Sequence, residues 1–438
     1  MHVLQEITQR NKKGYHVGVF SSCSGDGDVV RAVLRRARKT NTIAIIESTS
    51  NQVNQFGGYT QRTPEQFASY VRQIAREEGL SWDAVILGGD HLGPLPWTDL
   101  AEQEAMQNAC DLVVAYINAG FTKIHLDTSM RVASDSPDEP FHVEICARRG
   151  ALMCAAAEEA YQKLENKKEK PVYIIGSEVP VPGGDFSQEL GEVTQPEACQ
   201  ATIAAYQKAF IEHGLNDVFS RVVGLVVQTG VEFFERNIDE YDRRQTADLI
   251  KATRKLPVVL EGHSTDYQLK SNLRCMCEDG IAILKVGPEF TFALREALFD
   301  LEHIEKELYA KRPEEWSNFR QILEEAMLED PRYWKDYYTG DEEDLRISRI
   351  YSFYDRSRYY LPHKKVNAAR EKLVKNLTDK KIPECMLSQY FPNQYMRVRN
   401  GKIKNYPLDI ILDRIGDRID AYLEATGNNG FPEGFLGQ

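Results

Sequence analysis

Between Tyr15 and Ile304 the chain repeats one alternation: a short run rich in valine and isoleucine, a loop carrying glycine, serine or a carboxylate, then a longer stretch with helical spacing. The runs are His16 to Phe20, Ile43 to Glu47, Ala84 to Gly88, Lys123 to Asp127, Val172 to Gly176, Val222 to Gln228, Pro257 to Glu261 and Ile281 to Val286. Short apolar runs of this kind read as strands buried on both faces, and strands joined through helices run parallel. The intervening stretches place apolar side chains three and four residues apart, as Phe67, Val71 and Ile74 show within Pro64 to Glu77. Eight such units predict an α/β fold, a (β/α)8 TIM barrel with the helices as its outer ring. A doubly wound sheet shares this order of elements and is the alternative, because strand order is not written in the sequence.

The barrel is expected to span residues 1–306. Residues 307–438 lose the alternation and become rich in Glu, Lys, Arg, Tyr and Trp with helical patterning, which predicts a helical C-terminal extension covering or flanking the barrel mouth. Its stretch Tyr351-Ser352-Phe353-Tyr354-Asp355-Arg356-Ser357-Arg358-Tyr359-Tyr360 mixes stacking rings with fixed positive charge, and Asp355 and Arg356 are candidate substrate contacts. The tail Gly427-Asn428-Asn429-Gly430 is expected to be flexible.

A formal net charge of -12 argues against a nucleic-acid or anionic-membrane binder, since no basic face could dominate the field. No run approaches the roughly 18 apolar residues of a bilayer span, and the start, Met1-His2-Val3-Leu4-Gln5-Glu6, lacks the order of a signal peptide. A cytoplasmic protein acting on small molecules, assembled as a homo-oligomer, is the expectation. The eight cysteines are scattered, and Cys275-Met276-Cys277 lacks the partner spacing of a zinc site, so they read as reduced thiols.

In a barrel of this type the carboxyl ends of all strands converge on one site. Here they carry Ser21-Ser22-Cys23, Glu47, Asp90-His91, His125 with Asp127, Glu178, Gln228, Glu261 with His263, and Lys285. Imidazoles and carboxylates cost free energy to bury unless paired or bound to metal. His91, Glu178 and His263 form a set that Zn, Mn, Ni or Co would accept, with His125 and Asp127 in reserve. Asp90 is placed to shuttle a proton, with Glu47 or Asp127 on the opposite face. Asn51 and Gln52 belong to a loop, Ser48 to Thr60, whose amides and hydroxyls suit a polyhydroxylated ligand. Ser22, His125, Gln228, Ser264 and Lys285 are further candidate substrate contacts. Gly25-Asp26-Gly27-Asp28-Val29-Val30 imitates a dinucleotide fingerprint, but Val30 replaces its third glycine and two aspartates would repel a pyrophosphate.

Asn51-Gln52-Val53-Asn54-Gln55-Phe56-Gly57-Gly58-Tyr59-Thr60, Gly88-Gly89-Asp90-His91-Leu92-Gly93-Pro94, Glu178-Val179-Pro180-Val181-Pro182-Gly183-Gly184, His263-Ser264-Thr265-Asp266-Tyr267-Gln268 and Leu284-Lys285-Val286-Gly287-Pro288 resemble the class II tagatose-1,6-bisphosphate aldolase accessory-subunit family. The resemblance extends to Ser388-Gln389-Tyr390 in the tail. It implies a divalent-metal (β/α)8 barrel with His91 and His263 as ligands and Asp90 as proton shuttle. Class II aldolases carry a further histidine where this chain has Gln228, and Glu178 is expected to replace it. Their Gly-Gly-Ser phosphate turn is absent from Gly262-His263-Ser264-Thr265, which favours an unphosphorylated sugar. The family includes non-catalytic aldolase partners and tagatose 4-epimerases. The resemblance therefore implies a metal-dependent ketose epimerase interconverting tagatose and fructose at C4, through C3–C4 cleavage, rotation of the aldehyde and readdition. The alternatives are a non-catalytic subunit that stabilises an aldolase catalytic subunit, or an aldolase for the bisphosphate itself, with Ser264, Thr265, Arg356 and Arg358 building its phosphate site.

Overall fold

The eight apolar runs fold as eight parallel strands, β1 (Val19–Cys23), β2 (Ala44–Thr49), β3 (Val85–Leu92), β4 (Lys123–Leu126), β5 (Val172–Ile175), β6 (Val222–Val227), β7 (Val259–Gly262) and β8 (Ile281–Val286). Each pairs with its neighbours in sequence, and β1 closes on β8 with Val19 opposite Ile283, so the sheet is a closed barrel rather than a doubly wound sheet. The computed structural model describes residues 1–167, 169–179 and 193–427. The Pro180 to Gly184 part of the Glu178 motif and the tail from Asn428 lie outside the described residues.

A helix that the strand and helix count did not include, Val3–Lys12, precedes the barrel. His2 accepts from the Leu4 amide and forms a capping box with Gln5 that fixes its start. Leu4 and Ile7 plug the barrel bottom, packing with Val19, Ile45, Ile86, Val172, Ile174, Val259 and Ile283. β1 begins at Val19, three residues later than expected.

Side chains alternate along a strand, so the residue two beyond each plug residue also points inward. Two beyond Ile45, Val259 and Ile283 stand Glu47, Glu261 and Lys285, and Lys123 opens β4 beside them. The barrel is thus apolar below and charged above. Gly88 makes room for that charged layer, because a Cβ there would lie 2.6 Å from the Glu47 side chain.

The extension packs onto the outer ring of helices. Helix Pro407–Ala425 packs against helices Glu289–Leu308 and Gly27–Thr40 and against β1. Tyr422 and Phe290 both contact the Phe20 ring, at 5.7 and 5.9 Å. The boundary expected at residue 306 falls inside helix Glu289–Leu308, and one apolar core runs through both parts. The aromatic-basic stretch reaches the barrel mouth through a 3-10 turn, Arg356–Tyr359. Among the described residues no helix is long and apolar enough to cross a membrane.

Candidate metal centre

Asp90 and His91 are adjacent, and in a regular strand they would face opposite sides. A bulge solves this. Against β4, Gly89 pairs with Ile124 but the next pair is Leu92 with Leu126, so two residues of β3 oppose one of β4. His91 takes φ 46°, in the left-handed region. The distortion turns both side chains toward the barrel mouth, where His125 and His263 meet them with ring centroids 4.9 to 5.5 Å apart.

Each imidazole is held at one nitrogen by its own buried carboxylate. His91 Nδ1 lies 2.8 Å from Asp127 Oδ2, His125 Nδ1 lies 3.0 Å from Asp90 Oδ1, and His263 Nε2 lies 3.1 Å from Glu261 Oε1. The His91 amide is also 3.2 Å from His125 Nδ1, but the charged carboxylate favours a proton on that nitrogen. With those protons donated to the carboxylates, His91 Nε2, His125 Nε2 and His263 Nδ1 keep bare lone pairs. His125 Nε2 is buried with no hydrogen-bond partner. Asp90, His91, His125 and His263 each bring a ligand-type atom within 4.8 Å of the others. Histidine ligands oriented by carboxylates are the arrangement of divalent transition-metal sites, so the donor set fits such an ion.

Beneath the imidazoles lies the charged layer. The Lys123 Nζ sits 2.6 Å from Glu47 and 2.8 Å from Glu261, and Lys285 pairs with Glu47 and, at 2.9 Å, with Asp90. Burial alone would raise the Asp90 carboxyl, but His91, the His125 hydrogen bond and His263 outweigh it and hold it well below the usual range. Burial likewise opposes ionisation of Asp127 and Glu261. His91 nevertheless holds Asp127 at about 2, and Lys123 with His263 holds Glu261 at about 2. Burial pushes the Lys285 ammonium down to about 8, even with two carboxylates at its Nζ.

A cavity of about 100 Å³ opens above this centre, walled by Asp90, His91, His263, Ser264 and Lys285 and by Asn51 and Gln52 from the loop after β2. Several expected residues stand elsewhere. Glu178 is exposed, past the end of β5, where the chain bends at Ser177, and is not among the clustered groups, which include His125 instead. Glu47 is fully buried under Lys123 and Lys285, and Asp127 is spent on His91 and Ser129, so neither borders the cavity. Ser22 points away from the barrel axis because its neighbour Cys23 points into the cavity. Gln228 binds Thr194 through its backbone and is not a wall residue. Asp355 pairs with Arg295 and Thr291 of helix Glu289–Leu308, and Arg356 stacks on Tyr337 at 3.4 Å within the extension. The wall instead gains Arg358 and Tyr359 from that stretch, Tyr59 from the β2 loop, Phe233 and Asp266. Tyr59 touches Tyr359 across the mouth, with ring centroids 5.0 Å apart.

The family model for D-tagatose-1,6-bisphosphate aldolase subunit GatZ/KbaZ-like proteins matches residues 4–427. This chain belongs to that family. The D-tagatose-1,6-bisphosphate aldolase subunit GatZ of Escherichia coli O1:K1 / APEC is 43% identical over 420 residues, 96% of this chain and 99% of its own length. The protein of the same name from Klebsiella pneumoniae subsp. pneumoniae is 43% identical over 421 residues, 96% of this chain and 98% of its own. The crystal structure of a probable tagatose 6 phosphate kinase from Sinorhizobium meliloti 1021 superposes with a TM-score of 0.84 at 41% identity, covering 93% of this chain and 100% of that one. This GatZ/KbaZ-like chain is thus a TIM barrel with three buried histidines gathered at its mouth.

Proposed function

We propose that this chain is the accessory subunit of a class II D-tagatose-1,6-bisphosphate aldolase, and that it holds a divalent ion of its own on His91, His125 and His263 beside the cavity at the barrel mouth. The subunit role rests on the match over residues 4–427. The metal role rests on three imidazoles each fixed by a separate carboxylate. The partner is then an aldolase catalytic chain, and the ligand a ketohexose or its phosphate. Mixing the metal-loaded chain with that catalytic chain should give a co-eluting complex and a longer aldolase half-life on warming. No complex and no change in half-life would remove the accessory reading.

A second reading, that the chain turns over a ketose by itself, is favoured by one observation: Asp90 and Lys285 meet 2.9 Å apart in the cavity wall, next to the ligand set. A bound divalent ion would supply Lewis-acid polarisation of the ketose carbonyl and a neighbouring hydroxyl. Asp90 takes the C4 hydroxyl proton as the C3–C4 bond breaks and returns it when the aldehyde readds through its other face, the outcome being exchange of tagatose and fructose. Lys285, 2.9 Å from Asp90 Oδ1, holds that carboxylate in place for the step. Incubation of metal-loaded protein alone with tagatose tests this, since fructose must appear if the reading holds.

A further inference from the structure

The cavity wall beyond His263 holds a carboxylate that neither the ligand set nor the proton transfer uses. Asp266, in the loop after β7, is 1% exposed and borders the cavity next to Gly287 and Pro288. Its Oδ1 accepts the amides of Gly287 at 2.9 Å and Glu289 at 2.8 Å, and its Oδ2 lies 3.1 Å from the Gly287 amide. These amides stand between the end of β8 and the first turn of helix Glu289–Leu308. In (β/α)8 barrels the loops after the last two strands, with a helix N-terminus beside them, form the usual phosphate cradle, because free N–H groups and the helix dipole converge there. Here the chain's own carboxylate fills it.

The plug is built in rather than incidental. Ser264 and Tyr267, on either side of Asp266, take φ 54° and 64°, a conformation costly for residues with side chains. Thr265 Oγ1 donates to the Lys285 carbonyl at 2.7 Å, the Tyr422 hydroxyl donates to the Thr265 carbonyl at 2.9 Å, and the Tyr267 amide donates to Glu289 at 2.8 Å. Glu289 therefore adds a second acid behind the first. Arg358 on the facing wall draws the Asp266 carboxyl down, but by less than burial and Glu289 raise it, and its guanidinium already donates to the Tyr354 and Asp355 carbonyls and the Tyr359 hydroxyl.

We infer that Asp266 is a specificity-determining residue that closes the phosphate cradle, so that this cavity accepts the neutral hydroxymethyl end of a ketose there and refuses a phosphate. The inference rests on the reading of the cavity as a ketose site, and it assigns turnover of the bisphosphate to the catalytic partner. Burial and Glu289 push the Asp266 carboxyl up to about 7, the consequence of packing two acids where an anion would otherwise bind.

Calorimetric titration of metal-loaded wild type, Asp266→Ser and Asp266→Asn with inorganic phosphate, tagatose and tagatose 6-phosphate tests it. Wild type should bind tagatose at least about tenfold more tightly than the sugar phosphate, and Asp266→Ser should gain about tenfold or more in affinity for inorganic phosphate. Asp266→Asn, which keeps an oxygen on both amides, should gain nothing. Wild type binding the sugar phosphate as tightly as the free sugar, or no gain in Asp266→Ser, overturns the inference. Should Asp266→Ser not fold, the wild-type comparison still decides. Should wild type bind neither sugar, the ketose reading fails, while the response of Asp266→Ser to inorganic phosphate still decides what Asp266 does.

Discussion

The end of β3 and the loop after β7 each place a buried carboxylate against the same cavity, yet the two behave in opposite ways. Asp90 is surrounded by three imidazoles and Lys285 and stays ionised. Asp266 meets two backbone amides and another acid, and burial drives its carboxyl up to about 7. Equal burial thus gives opposite titration, because desolvation penalises both charges alike and only the sign of the neighbours differs. One carboxylate is held ionised among cations beside the three histidines; the other fills a space against two amides.

The largest effect should come from removing the charge that joins both regions. Lys123 lies 2.6 Å from Glu47 and 2.8 Å from Glu261, and through Glu261 it steadies His263. Lys123→Met leaves buried acids uncompensated and should destabilise the fold by about 3–5 kcal/mol in urea melts. A loss under 1 kcal/mol would show that the charged layer carries less than its burial implies.

A smaller effect separates the β3 side from the β7 side. Asp127→Asn removes the charge from the acceptor that orients His91, and Glu261→Gln does the same for His263. Each should weaken Zn or Mn affinity by about 10- to 100-fold, the usual range for partners of a ligating histidine. Dialysis against a competing chelator reads this directly. An unchanged affinity in both variants would remove the three-histidine centre altogether.

The two regions also predict opposite slopes of stability with pH. Asp127 and Glu261, held at about 2, contribute stability above the unfolded carboxylate range near 4 that is lost as pH falls toward 2. Asp266, raised to about 7, binds a proton on folding between about 4 and 7, so stability falls as pH rises through that window. Asp266→Asn keeps the amide acceptor and should flatten the slope between pH 5 and 7.5 while leaving the acid limb in place. A slope unchanged in the variant would place the titration elsewhere.

Much of this was legible in the sequence. Parity along β2, β4, β7 and β8 is enough to put Glu47, Lys123, Glu261 and Lys285 in one barrel layer, and Asp90-His91 stood out as polarity ending an apolar strand. The bulge was not legible, since two residues opposing one depend on the partner strand's register. Neither was the choice of Arg358 over Arg356, because a 3-10 turn of four residues has no periodic signal to say which guanidinium faces the cavity. The N-terminal helix was missed because Leu4 and Ile7 make too short an apolar stripe to register without the plug they form. Asp266 lies in a loop, where no strand or helix period gives a side chain a direction. The signal that could have found it is an acid three residues beyond a ligand histidine, at the strand end where barrels hold anions.

Glu178 gives the smallest expected effect and the sharpest check on the ligand set. Strand parity from Val172 and Ile174 runs through Gly176 to Glu178, so counting alone directs Glu178 inward. β5 ends at Ile175, however, and the bend at Ser177 carries Glu178 to an exposed position. His125, on the neighbouring strand and in the same interior row as Lys123, is fully buried with a free ring nitrogen. Glu178→Ala should change stability by less than about 0.5 kcal/mol, as exposed positions usually do, and leave metal affinity unaltered. His125→Ala in parallel should weaken the ion at least as much as Asp127→Asn. If Glu178→Ala instead releases the ion while His125→Ala retains it, the third ligand is Glu178, beyond β5, rather than His125 on β4.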